Sequence, residues 1–357
     1  MTQRLRLGIV GGGRVVERLH LPALATSDAW SLVGVADSAP DRRERLRHLV
    51  PGAAVTSSQE ELLDEQAPDA VLVATPPASH CELAVDALSR GHAVLVEKPM
   101  ALTPADARAM REARERAGRP LWVGFNRRFY SSYRALKGVL RERSAGQPVS
   151  MFFELSAGVS TWRAVGDFQG VDEQGGGVLD DLVSHQLDLL SWLLDEPVLK
   201  VSARSTGPRR SAQRVELSVV LGGGAKGGCI AEQGGSYREL VYVVLSNRRL
   251  LATPARLWDV TGIPASIAGW LGARHATATG GWRKVRARPS SSVDSMTRQW
   301  RSFASVVRGD ASAGADEPEG AGADAGVRCV EAVAACRRSL SSGTPSVVRV
   351  THAGTAS

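Results

Sequence analysis

Up to about residue 124 the chain repeats one rhythm, a short apolar run followed by a longer amphipathic stretch, and this constrains the fold more than any other feature. Leu5–Val10, Ser31–Asp37, Ala70–Ala74, Ala93–Val96 and Leu121–Val123 have the length and near-continuous apolar character of strands covered on both faces. Between them Val15–Thr26, Asp41–Leu49, Ser79–Ser89 and Pro104–Ala117 carry helical periodicity. Thr103-Pro104 opens the last with a capping residue and a proline at the first helical position. Strand-helix-strand units take right-handed crossovers, so residues 1–124 are expected to form a doubly wound α/β domain with a parallel sheet.

After Gly124 the rhythm changes. A helix around Arg134–Arg143, a strand at Val149–Leu155 and a helix at Leu179–Leu194 precede strands at Val198–Arg204, Arg214–Leu221, Gly228–Gln233 and Leu240–Leu245. Successive strands with Gly-rich turns predict an α+β domain over 125–357 with a mainly antiparallel, open-faced sheet. Asp310–Gly326, rich in Ala, Gly and Asp, reads as a mobile surface loop ahead of a helix at Val327–Leu340. A chain of 357 residues, 43% hydrophobic, suits two domains.

Composition narrows the function classes. No apolar run approaches the roughly 18 residues of a membrane helix, and no charged-then-apolar leader precedes Leu5, so a cytoplasmic protein without a membrane partner is expected. The net charge of +7 comes from arginines spread along the chain with acids interleaved, which speaks against nucleic acid and leaves an anionic small molecule such as a nucleotide-linked sugar. Cys81, Cys229, Cys329 and Cys336 form no Cys-x-x-Cys pair, so free thiols are expected and neither a disulfide framework nor a metal.

Where the first strand opens into a helix the sequence reads Gly11-Gly12-Gly13-Arg14-Val15-Val16. Gly11 permits a tight turn and Gly13 lets backbone N–H groups approach a pyrophosphate, the signature of a dinucleotide-binding Rossmann domain. Val16 replaces the third glycine, which predicts looser helix-strand packing there. Asp37, a little over 20 residues on, ends the second strand where a carboxylate accepts from ribose hydroxyls, favouring NAD, with NADP as the alternative because Arg42 and Arg43 follow. Thr75 and Pro76 end the third strand at the same carboxyl edge. So does Lys98 in Glu97-Lys98-Pro99, where an ammonium can bond a carbonyl or alkoxide oxygen.

The segment Gly175 to Asp188 carries a second concentration of chemistry. On a regular helix Asp181, His185 and Asp188 share one polar stripe between flanking leucines. A carboxylate one turn before a histidine orients the ring and stabilises the imidazolium, as a general acid/base near neutral pH requires. Capping by Asp180 or Asp181, with a structurally satisfied histidine, is the alternative.

Taken in order, Gly11 to Arg18 with His20-Leu21-Pro22-Ala23-Leu24, Glu97-Lys98-Pro99, Gly124-Phe125-Asn126-Arg127-Arg128-Phe129 and Gly175 to Asp188 resemble the glucose-fructose oxidoreductase, inositol dehydrogenase and rhizopine catabolism (Gfo/Idh/MocA) family. Arg298–Arg308 and Val327–Leu340 resemble its closing helices, so the likeness spans essentially the whole chain. The resemblance implies that Lys98, Asp181 and His185 are catalytic in reversible oxidation of a secondary alcohol on a sugar, cyclitol or nucleotide sugar, without a metal. It implies a cofactor site of Gly11, Gly13, Arg14, Val15, Asp37, Thr75, Pro76, His80, Glu97 and Lys98. Substrate contacts fall to Lys98, Asn126, Arg128, Trp162, Arg163, Asp181 and His185. A homo-oligomer, dimer or tetramer, is expected through the second domain's sheet. Ser156–Gln174 and Pro254–Arg288, with Trp258, Trp270 and Trp282, are candidate pocket walls, packing or a dimer contact being the alternative. Other functions left open are an NAD-using glycoside hydrolase or lyase working through transient oxidation, and a non-catalytic cofactor-binding regulator.

Overall fold

The computed structural model describes residues 3–142, 144, 146–157, 177–205, 213–234, 236–261, 283–285, 291–309 and 320–348. The described residues through Asn126 together with those of Ser292–Val330 pack as one unit; the described residues between Arg127 and Ser291, and those from Glu331 on, pack as a second.

The first unit holds strands β1 (Leu5–Val10), β2 (Trp30–Ala36), β3 (Ala54–Thr56), β4 (Ala70–Val73), β5 (Ala93–Val96) and β6 (Leu121–Val123). All pair in parallel, in the order β3-β2-β1-β4-β5-β6. Helices α1 (Leu21–Ala25), α2 (Pro40–Leu49), α3 (Gln59–Gln66), α4 (His80–Ser89) and α5 (Pro104–Ala117) connect them. Every residue of β4 and β5 is buried, the reason both read as unbroken Ala, Val and Leu. The order reverses between β1 and β4, where open sheets of this kind place their ligands. Two elements lay outside the sequence reading. β3 is only three residues long, and α3 offers just Leu62 and Leu63 to the core, its start set instead by the Ser58 hydroxyl accepting from the Glu61 N–H.

The described residues of Ser292–Val330 belong with this unit and not with the second domain, where they were expected. Phe303 of the Ser292–Arg308 helix stacks on Trp30 at 5.8 Å and tilts against Trp122 at 5.6 Å, while Trp300 meets Trp30 edge-on at 5.4 Å. The expected surface loop is also corrected at its described end. Ala321 is buried and accepts from the Val123 N–H at 2.8 Å. Gly320 lies so flat on the Trp122 indole that a Cβ would stand 2.3 Å from the ring. Small residues there serve close packing, and the closing helix starts earlier than expected, at Ala323.

In the second unit β7 (Pro148–Ala157), β8 (Val198–Ser205), β9 (Gln213–Leu221), β10 (Lys226–Gln233), β11 (Arg238–Leu245), β12 (Arg249–Thr253), β13 (Arg256–Asp259), β14 (Arg283–Val285) and β15 (Ser346–Val347) form one sheet. Its order is β14-β13-β12-β11-β7-β10-β9-β8-β15, antiparallel except between β7 and β10. Helices α6 (Ser131–Arg141) and α7 (Ser184–Leu194) pack with each other. Met151, Phe153 and Leu155 alternate inward along β7, and the intervening positions of the sheet carry ion pairs such as Arg238–Glu154 and Arg214–Glu232. Part of the expected pocket wall is core: Trp258 packs with Leu240, Leu251 and Val260. Trp270 and Trp282 lie outside the described residues. No helix among the described residues is long and apolar enough to cross a membrane.

Candidate functional site

The first unit gathers its site residues at the carboxyl ends of β1, β2, β4 and β5. Gly11 has φ +94°, and a Cβ there would stand 2.7 Å from the Ala74 carbonyl, so β1 and β4 touch through a position only glycine occupies. A Cβ on Gly12 would strike Leu46 of α2. On Gly13 it would meet nothing within 4 Å, which leaves one open side of the turn beside its N–H groups. That shape fits a dinucleotide phosphate. The expected loose packing at Val16 is not found. Val16 is fully buried, and the chain from Val16 to His20 takes a wide π-helical turn closed by the Leu21 N–H on the Val16 carbonyl. The bulk of a valine is accommodated by widening the helix.

Asp37 is buried, and its carboxylate accepts from the Gly12 N–H at 2.8 Å, the Ala39 N–H at 2.9 Å and the Arg42 guanidinium at 3.3 Å. Of about four acceptor positions on a carboxylate, one stays open. Arg43 spends a guanidinium nitrogen on the Asp37 and Ser38 carbonyls. His80, expected at the cofactor, is fully buried, with Nδ1 2.9 Å from the Pro99 carbonyl and Nε2 2.9 Å from that of Thr75. Its ring lies between the Thr75-Pro76 turn and Glu97-Lys98-Pro99, and as a neutral imidazole it donates to one of the two carbonyls, a structural contact. Burial pushes His80 below the usual imidazole range, outweighing those carbonyls and the Glu97 charge.

Glu97 is also turned inward. One carboxylate oxygen lies 2.8 Å from His20 Nε2, and the other accepts the Lys98 N–H at 3.1 Å. Burial alone would raise this carboxyl, but His20 and Lys98 hold it below the usual range. Lys98 itself is half-buried at the strand end.

In the second unit a π-helical turn, Leu179–Val183, runs into α7, closed by the Ser184 N–H on the Leu179 carbonyl. The regular helix expected over Leu179–Leu194 is therefore a π-helical turn followed by an α-helix. Asp181 accepts from Gln233 of β10 at 3.1 Å, and Asp180 pairs with Arg337. His185 is buried at the start of α7. Asp188 is committed elsewhere, taking Arg128 in a two-pronged pair of 2.9 and 2.5 Å. Arg128 is 6% exposed, and its guanidinium is turned into this internal pair. Asn126, in the first unit, is likewise buried, with Nδ2 3.5 Å from Ser295 Oγ. Trp162 and Arg163 lie outside the described residues.

Several polar residues at these centres escaped the sequence reading. Glu239 of β11 accepts two bonds from Arg127, each 3.1 Å, and one each from the Tyr133 and Tyr237 hydroxyls at 2.9 and 2.7 Å. Burial would lower Arg127, but the Glu239 charge keeps it above its usual range. Their separation of 112 residues leaves no local signal. His20 and Trp300 were missed for the same reason. Lys98 belongs to the first unit, Asp181 and His185 to the second.

The strand order, the glycine turn against β4 and the carboxylate closing β2 define a dinucleotide-binding Rossmann domain, joined in one chain to an α+β unit. Residues 5–125 match the oxidoreductase family with an NAD-binding Rossmann fold, and residues 133–239 match the GFO/IDH/MocA C-terminal domain; the chain belongs to the Gfo/Idh/MocA family. It is 32% identical to the D-glucoside 3-dehydrogenase of Escherichia coli over 56% of this chain and 57% of that one. It is 34% identical to inositol 2-dehydrogenase 4 of Saccharopolyspora erythraea over 59% and 60%. The match thus spans less than two thirds of these relatives. Among solved structures, the WlbA dehydrogenase of Bordetella pertussis in complex with NADH and UDP-GlcNAcA has the same fold, with a TM-score of 0.80 at 22% identity, covering 98% of this chain and 100% of that one.

Proposed function

We propose that the protein is an NAD-dependent oxidoreductase acting on a secondary alcohol, or the matching ketone, of a sugar, cyclitol or nucleotide-linked sugar. The observation that carries this is the phosphate turn, closed toward Asp37 by the Gly12 N–H and open at Gly13. Gly11, Gly13, Arg14, Val15, Asp37, Thr75 and Pro76 would hold the dinucleotide, whose nicotinamide supplies a hydride acceptor when bound. Asp37 favours NAD, since its charge opposes a 2′-phosphate; displacement of the half-exposed Arg42 toward such a phosphate would let NADP bind more weakly.

His185 takes the proton of the substrate hydroxyl in the oxidation and returns it in reduction. Asp181, held by Gln233, acts as its electrostatic partner, and Lys98 stabilises the charge that develops on the oxygen. Arg127, Tyr237 and Glu239 form a further polar cluster suited to hydroxyl groups. The buried or half-buried free cysteines fit a reducing, cytoplasmic setting, and we take the protein to work as a homo-oligomer through its second-unit sheet, to be measured by light scattering.

The test is initial-rate absorbance of reduced nicotinamide over inositols, glucosides and UDP-linked sugars. Lys98→Ala and His185→Ala should each lower kcat by roughly 10² on any substrate the wild type accepts, with NAD affinity by calorimetry unchanged. Full turnover by either variant would overturn its assignment.

A further inference from the structure

We infer that His20 and Trp300 are positioning residues for Lys98, acting through the Glu97 carboxylate. The inference rests on the reading that Lys98 faces the reacting oxygen. An indole N–H can only donate a hydrogen bond. Trp300 Nε1 lies 3.2 Å from His20 Nδ1, so that nitrogen is the acceptor and the ring proton belongs on Nε2. From there it points at Glu97, 2.8 Å away, whose other oxygen receives the Lys98 backbone N–H. A directed relay therefore runs from Trp300 through a neutral imidazole to a carboxylate and ends on the Lys98 backbone.

Packing alone does not call for this arrangement. Trp300 and His20 are both 0% exposed, and leucine or phenylalanine would fill the same space without buried polar atoms. What the relay adds is a carboxylate held ionised and fixed in direction one residue before Lys98. A neutral donor leaves that negative charge uncancelled, available to the ammonium. Trp300 is itself aimed, because Trp30 Nε1 donates to its carbonyl at 2.9 Å. The titratable groups facing Glu97 among the described residues are His20, Lys98 and, at longer range, His80. Gly124 closes the remaining side, since a Cβ there would stand 3.0 Å from the carboxylate.

Three variants of the full chain separate relay from packing. Trp300→Phe keeps a ring and deletes the N–H. His20→Gln keeps an acceptor and a donor on one carbon, able to serve indole and carboxylate together, whereas His20→Leu keeps only volume. In cofactor-free protein, ¹⁵N NMR should show His20 protonated at Nε2 alone, and reductive methylation read by mass spectrometry should label Lys98 about 3-fold faster in His20→Leu. Trp300→Phe should fall between, and His20→Gln should return to within about twofold of wild type. A His20 protonated at Nδ1, or wild-type labelling in both His20→Leu and Trp300→Phe, overturns the inference; should His20→Leu not fold, Trp300→Phe decides. These readouts need no turnover. Unchanged labelling with a dead Lys98→Ala enzyme sinks the relay alone, whereas an active Lys98→Ala enzyme sinks the proposed function and the catalytic meaning of the relay with it.

Discussion

The dinucleotide edge of the first unit is assembled mainly by backbone, and the polar centre of the second by side chains that meet across long stretches of chain. Gly11 against Ala74, Gly12 on Asp37 and the strand ends themselves need only the sheet order to come together. Arg128 and Asp188 are 60 residues apart, and Asp181 and Gln233 are 52 apart. Both regions nonetheless place a buried histidine at a π-helical turn, His20 as the last residue of one and His185 two residues beyond the other. The difference teaches that a backbone site tolerates side-chain change where space is open, whereas a side-chain site fails when one partner of a buried pair is removed.

The largest effect expected from that contrast is on Asp188. Asp188→Ala strands a buried guanidinium and should cost about 3–5 kcal/mol in urea unfolding, while Arg128→Met with Asp188→Leu should recover most of it. A single variant as stable as wild type would break the contrast. Next come the glycines. Gly11→Ala, at φ +94° and against the Ala74 backbone, should lose about 2 kcal/mol of stability. Gly13→Ala should stay within about 0.5 kcal/mol yet weaken NAD about tenfold by calorimetry; unchanged affinity would show that the open side is not where the phosphate lies. Smaller still, Asp37→Ser should move the NAD-to-NADP ratio of kcat/KM about fivefold toward NADP, about 1 kcal/mol. A ratio that does not move would remove the ribose contact.

The smallest effect concerns pH. Because Glu97 titrates below its ordinary value of 4.5 in the folded chain, its contribution to stability is complete above that value and is lost as pH falls through the lower, folded one. Wild type minus Glu97→Gln should therefore show unfolding free energy declining on acidification below about pH 4.5. A flat difference would mean that Glu97 is not held ionised.

Much of this was legible in the chain before folding. β1, β5, β6 and α5 begin and end where the apolar runs and the Thr103-Pro104 cap placed them, since burial on both faces and capping are local signals. β13 and β14 were missed, short strands within a stretch read as a pocket wall because its tryptophans suit sugars as well as cores, and so was β12 just ahead of it. The catalytic candidates were legible as residue types at characteristic positions. Their partners were not: nothing near Asp188 announces Arg128, and nothing near Glu97 announces Trp300.

The sequence by itself determined the alternation of elements, the glycine turn with Asp37, and the presence of Lys98, Asp181 and His185, because each depends on residues close along the chain or on a periodic pattern. Only the tertiary structure decided which polar groups are spent internally. It committed Arg128 to Asp188 and set the His80 ring between two carbonyls, brought the Ser292–Arg308 helix onto Trp30 and Trp122, and widened two helices into π turns. The physical reason is that a buried polar group must find a partner wherever the fold supplies one, and that choice is made by packing in three dimensions.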